Sequence, residues 1–160
     1  MGGSAMKIRW LLLPLLLVVW SGCASYQANV APGTQIAAYQ HWWVKTNLND
    51  NNGLDRLIVA VLQSHGFAAE CGPLTLKPDN VHVVVSYRDR WSWDFKKHMT
   101  SLELFVEDTR QIEPVATAVY SGPASLNLSP REVVERLVKE MLEKKSRAPE
   151  TAAPSYGANL

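Results

Sequence analysis

Apolar residues recur along this chain with two distinct periods. From 130 to 146, Val133, Val134, Leu137, Val138, Met141 and Leu142 share one stripe of a 3.6-residue helix. Ser129-Pro130-Arg131-Glu132 opens that helix as a capping box with proline in the first helical position. Lys144, Lys145 and Arg147 stand at its end, where the helix dipole favours cations. A second stripe, Leu54, Leu57, Ile58, Val61 and Leu62, predicts a helix over roughly 52–65, with Asp55 in its first turn and Gly66 as its stop. Both stripes are core faces.

A period of two marks the strands. Val81, Val83, Val85 and Tyr87 alternate with His82, Val84 and Ser86, and Leu102, Leu104 and Val106 alternate with Ser101, Glu103, Phe105 and Glu107. Val115 to Ser121 is β-branched and small. The polar link 108–114 is short, which predicts an antiparallel hairpin. Tyr39 to Thr46 reads as a first strand, and Phe67 to Glu70 as a short one after the first helix. The order β-α-(β)-β-β-β-α predicts an α+β fold: a two-layer sandwich with a mainly antiparallel sheet of about four strands and two helices packed on one face. The single domain is expected over 38–146. Residues 24–37, small and polar with Pro32-Gly33, read as a flexible tether, and 147–160, aperiodic with two prolines, as a disordered tail.

The first 22 residues break both periods. Lys7 and Arg9 precede an apolar run from Trp10 to Trp20, interrupted only by Pro14. A bilayer span needs about 20 apolar residues, so this run suits a secretory signal better than a membrane helix. Met6-Lys7-Ile8-Arg9 is a compact signal start on its own, which leaves Met6 as an alternative first residue. Small residues then lead into a cysteine, in Ser21-Gly22-Cys23-Ala24. This string resembles the lipobox of bacterial lipoproteins, with Trp20 standing where leucine is usual. The resemblance implies cleavage before Cys23, acylation of its thiol (a palmitate-type modification) and, with Ala24 rather than Asp next, sorting to the periplasmic leaflet of a Gram-negative outer membrane. Several acyl chains make such an anchor stable. The rival is ordinary signal cleavage, after which Cys23 and Cys71 could pair in the oxidising envelope. With Cys23 lipidated, Cys71 is left as a small apolar residue.

Removing the signal changes the composition. The whole chain of 160 residues carries a formal charge of +1. Without Lys7 and Arg9 it has 14 basic against 15 acidic residues, and no basic field that would suit nucleic acid. Its six tryptophans fall to four, in two pairs: Trp42-Trp43 and Trp91/Trp93.

No catalytic constellation stands out, and the chain is read as a non-enzyme. His41, His65, His82 and His98 show no metal-ligand spacing, and no metal or cofactor is expected. Cys71 follows Glu70, whose charge raises rather than lowers a thiol pKa. Glu107-Asp108 reads as solvated charge at a turn. The stretch that stands apart is Arg88-Asp89-Arg90-Trp91-Ser92-Trp93-Asp94-Phe95-Lys96-Lys97-His98. Trp91, Trp93 and Phe95 face one way if it is extended, so with Tyr87 and Trp43 they form a candidate binding patch. The alternative is that these aromatics cover the open end of the core.

The strings Tyr87-Arg88-Asp89-Arg90-Trp91-Ser92-Trp93-Asp94, Leu102-Glu103-Leu104, Glu107-Asp108 and Ala118-Val119-Tyr120-Ser121-Gly122, with the Ser129-Pro130 helix start, resemble a family of small uncharacterised Gram-negative outer-membrane lipoproteins. The resemblance implies a lipobox, a tether and one α+β domain, and carries no catalytic residues. The expected role is therefore a membrane-anchored periplasmic lipoprotein that acts by binding a protein partner, as an accessory subunit of an envelope assembly or transport complex. Two alternatives stay open. A lipid or small-ligand carrier would need an apolar cavity between sheet and helices. An envelope hydrolase would need a cluster around His82, His98 or Cys71.

Overall fold

The computed structural model describes residues 24–94, 96–122 and 128–144. The signal segment, Cys23, Phe95 and the tail 147–160 lie outside the described residues. The elements run β1 (Ser25–Val30), β2 (His41–Lys45), α1 (Leu54–Ser64), β3 (Ala68–Gly72), β4 (Val83–Asp94), β5 (Lys96–Asp108), β6 (Pro114–Ser121) and α2 (Pro130–Glu143), with short 3-10 turns at Ile36–Ala38 and Leu74–Leu76.

The fold is α+β, and the sheet is larger than the alternation predicts: six strands in the order β1-β6-β5-β4-β2-β3. It is also mixed. β1, β6, β5 and β4 pair antiparallel, while β2 is parallel to both β3 and β4. Two crossovers cause this. Helix α1 returns the chain to the starting end before β3, and the 73–82 segment does the same before β4, so all three strands point one way.

The stretch expected as a tether holds strand β1. Tyr26, Ala28 and Val30 turn to the core while Ser25, Gln27 and Asn29 face out. The Tyr26 ring packs on Tyr120 at 5.0 Å and lies 4.0 Å beneath the Arg136 guanidinium, so sheet and α2 both hold it. Residues 25–30 therefore belong to the fold, which extends ahead of residue 38.

Both helices cover one face. Trp42, Val44, Val85, Leu102, Leu104, Ala118 and Tyr120 from the sheet meet Ile58, Val61 and Leu62 of α1 and Val134, Leu137 and Val138 of α2. A smaller cluster of Trp43, Val81 and Val84 lies on the opposite face. Helix α2 starts on the expected capping box, with the Ser129 hydroxyl accepting from the Glu132 amide and Glu132 accepting from Ser129 N. Helix α1 ends as Gly66 predicts. Gly66 sits at φ +89°, its N–H bonds Gln63 O, and Phe67 N–H bonds Leu62 O in a Schellman motif that seats Phe67 against Trp42.

Candidate functional site

The most distinctive feature is the length of β4 and β5. The row Ser25, Ser121, Ser101, Arg90 runs across four strands in register. Beyond that row β1 and β6 stop, while β4 and β5 continue as a two-stranded hairpin from Trp91 to Asp94 and back from Lys96. A register shift between Arg90 and Trp91 marks where the hairpin leaves the sheet.

The root of this hairpin is tied to the body. Trp91 packs against the core beside buried Met99, its indole N–H donates to Asp89 Oδ2, and the Lys97 ammonium lies 5.0 Å from its ring centroid. Lys97 also bonds Asn52 Oδ1 in the loop before α1. His98 is buried, with Nδ1 2.9 Å from Lys96 O and Nε2 without a partner among the described residues. Trp93, one step further out, is 76% exposed.

Loop 46–53 sits beside the hairpin and is organised by one carboxylate. Gly53, at the N-cap of α1, has no side chain to cap with and takes φ +67°. Asp50 does the capping from three residues earlier, accepting Leu54 N–H at 2.6 Å and Asn52 N–H at 2.7 Å, while the Tyr87 hydroxyl donates to it at 2.8 Å. Burial opposes the Asp50 charge, but these hydrogen bonds outweigh it and hold its pKa below the usual carboxylate value. Burial and the Asp50 bond push the Tyr87 hydroxyl pKa far up. An open cleft of about 620 Å³ lies next to this loop, lined by Lys45, Thr46, Leu48, Pro73, Leu74 and Tyr87 among others. Leu48 is 95% exposed there.

The five predicted patch residues do not form one surface. Trp91 and Trp93 share a strand face as expected, and Phe95 lies outside the described residues. Tyr87 is buried on the helix side and spends its hydroxyl on Asp50. Trp43 is buried on the other face, under the 73–82 crossover, with its indole N–H unpartnered among the described residues. Adjacent strand residues must point oppositely, which separates Trp43 from Trp42 and from the hairpin. Leu48 and Leu74 were not among the sequence candidates. Leu48 is the one apolar residue in Asn47-Leu48-Asn49-Asp50-Asn51-Asn52, a run too polar to give it a place in a helix or strand stripe.

Other candidates disperse. His82 makes an edge contact with His41 at 5.2 Å and precedes β4, at the opposite end of that strand from the hairpin that carries His98. Cys71 is half-buried on β3, and burial, then the Asp55 charge, raise its thiol pKa. Asp108 is not solvated charge: it is 1% exposed. The Arg110 side chain grips it through Nε at 3.0 Å and a terminal nitrogen at 2.8 Å, and the Tyr39 hydroxyl donates to it at 2.8 Å. Arg110 first, against the effect of burial, holds its pKa far below the usual carboxylate range. No group of three or more His, Cys, Asp or Glu able to hold a metal occurs among the described residues.

The sheet face away from the helices is open over β1, β6 and β5. Two neighbouring rows cross it, Gln27-Val119-Glu103-Arg88 and Asn29-Thr117-Phe105-Ser86. Val119, Thr117, Glu103 and Phe105 are half-buried, and Arg88 bridges to Glu103 at 3.4 Å and lies 5.6 Å from the Phe105 ring centroid.

A two-layer α+β domain with a protruding hairpin is thus the class the geometry defines. No protein-family model matches the chain, and no curated protein matches it. Solved structures do share the fold. A point variant of the PelC dodecamer from Paraburkholderia phytofirmans aligns with TM-score 0.56 and 12% identity, over 76% of this chain and 100% of that one. The PelC dodecamer itself aligns with TM-score 0.52 and 13% identity, over 75% and 95%. At this identity the likeness is one of fold.

Proposed function

We propose that this chain is a lipoprotein acylated on Cys23, held on the periplasmic leaflet of the outer membrane, and that its domain acts by binding as an accessory subunit of an envelope assembly. The observation that carries the binding role is the open sheet face. Val119, Thr117 and Phe105 form a half-exposed strip, with Arg88 and Glu103 beside it as a polar rim. Such a centre and rim suit a folded protein partner. Because the two PelC structures that share the fold are dodecamers, the partner this face fits first is a further copy of the chain.

The carrier alternative is less well supported. The space between sheet and helices is filled by Trp42, Ile58, Leu62, Leu104, Tyr120 and Leu137, and the 620 Å³ cleft lies outside it. The test is a photo-crosslinking amino acid at Val119 in cells, with Gln111 in the far turn as control. The expected product joins two copies through the Val119 strip and is lost in Phe105→Glu. Crosslinks no different from those at Gln111 would overturn the reading.

A further inference from the structure

Large apolar side chains are exposed at few places on this domain: Leu48, Leu74, Leu76, Trp93 and Ile112 among the described residues. Their distribution is uneven. Leu48 follows the end of β2, Leu74 follows the end of β3, and Trp93 is on the hairpin. β2, β3 and β4 are parallel, so all three lie at one end of the sheet. Leu76 belongs to the same turn as Leu74, and Ile112 stands alone in the β5–β6 turn at the other end.

The chain enters the fold at that same apolar end. Ser25 is level with Ser121, Ser101 and Arg90, and β1 runs antiparallel to β6, so β1 starts at the end to which the hairpin points. Cys23 is two residues earlier and cannot be more than about 7 Å from Ser25 along an extended chain. The four hairpin residues from Trp91 to Asp94 project about 13 Å past the row at strand rise. An anchor at Cys23 therefore brings the hairpin to the depth of the lipid headgroups, a layer about 5–8 Å thick on each side of the hydrocarbon.

Charge follows the same axis. Lys45, Arg88, Arg90 and Lys96 are exposed at the anchor end, with Lys97 beside them. Among the acids there, Asp50 is engaged by Tyr87 and backbone amides, Asp55 by Thr46 and the Arg56 amide, Asp89 by Trp91 and Glu103 by Arg88, and Asp94 stands in the hairpin. The far end carries exposed Asp79, Glu107 and Glu113, with Arg110 turned onto Asp108. An interfacial tryptophan flanked by lysine and arginine is the side-chain set that settles at an anionic headgroup layer.

We infer that the β4–β5 hairpin tip, with Trp93, Arg90 and Lys96, and the neighbouring Leu48 and Leu74, form a membrane-docking surface that rests on the bilayer leaflet holding the chain's own Cys23 anchor. The inference depends on the anchor proposed above. It adds an orientation: the domain lies against the leaflet by this end, with the open sheet face upright and free to pair sideways.

The test uses the full-length protein purified from membranes, its mass recorded, then reconstituted in phosphatidylethanolamine–phosphatidylglycerol vesicles with and without bromine-labelled acyl chains. Trp42 and Trp43 are buried in the domain and Trp91 is packed on its core, so Trp93, the most exposed of the four, should dominate quenching by bromolipid. The expected result is quenching that falls about twofold or more in Trp93→Phe, while Ile112→Trp adds an emission that bromolipid leaves untouched. An acylated protein whose quenching is the same in wild type and Trp93→Phe overturns the docking surface and leaves the anchor standing. A protein without acyl mass overturns both.

Discussion

The Tyr87 hydroxyl and the Leu54 amide meet on one oxygen of Asp50, at 2.8 and 2.6 Å, so a single carboxylate, 37 positions from Tyr87 in sequence, fastens β4 to the start of α1. Asp50→Ala removes the cap and orphans a buried phenol, and should destabilise the fold by about 2–3 kcal/mol in urea unfolding. Asp50→Asn, which keeps an acceptor oxygen for the cap, should lose less.

The two hairpin tryptophans should separate in a stability assay. Trp91 packs on the core and organises Asp89 and Lys97, so Trp91→Ala should destabilise by about 1–3 kcal/mol. Trp93 is mostly in solvent, so Trp93→Ala should stay within about 0.5 kcal/mol of wild type. Equal losses in both would mean the tip is part of the core.

Asp108 sets an acid limit on stability. A carboxylate whose folded pKa lies below its unfolded value, about 3.9, stabilises the fold above that value and gives the contribution up as pH falls through it toward the folded pKa. Asp108→Asn should therefore lower the melting temperature at pH 7, and the gap from wild type should narrow steadily below pH 4. A gap that widens in acid would contradict the assignment.

Gly72 leaves room for the Trp43 indole against β3. A Cβ at Gly72 would stand 2.8 Å from the indole Cζ2, closer than van der Waals contact permits. Gly72→Ala should cost about 1–3 kcal/mol and shift tryptophan emission as Trp43 moves.

Much of the fold was legible because local signals agreed with the tertiary outcome. The Ser129 capping box and the Gly66 stop fix both helices, and the Val83–Tyr87 and Leu102–Val106 alternation fixes the faces of β4 and β5. Tyr26, Ala28 and Val30 alternate as cleanly, yet small polar neighbours and Pro32-Gly33 mask a strand whose stability comes from Tyr120 and Arg136, far away in sequence. Parallel pairing of β2 with β3 and β4 depends on where two crossovers return the chain, which no periodicity carries. At the site, the i, i+2 spacing placed Trp91 and Trp93 on one face. It could not say that one would be rooted and the other exposed, nor that Leu48 and Leu74 would join that end of the molecule, because that depends on the parallel strands. Asp108 looked like turn charge because its partners, Tyr39 and Arg110, meet only in the folded chain.

The membrane location and the docking surface both depend on the thiol of Cys23. The most direct measurement is the intact mass of the protein isolated from outer membranes, alongside Cys23→Ser. The account predicts a mature chain beginning at Cys23 that carries acyl mass, and a Cys23→Ser protein that incorporates no labelled palmitate. A mature chain without acyl mass, or labelling that persists in Cys23→Ser, would contradict it.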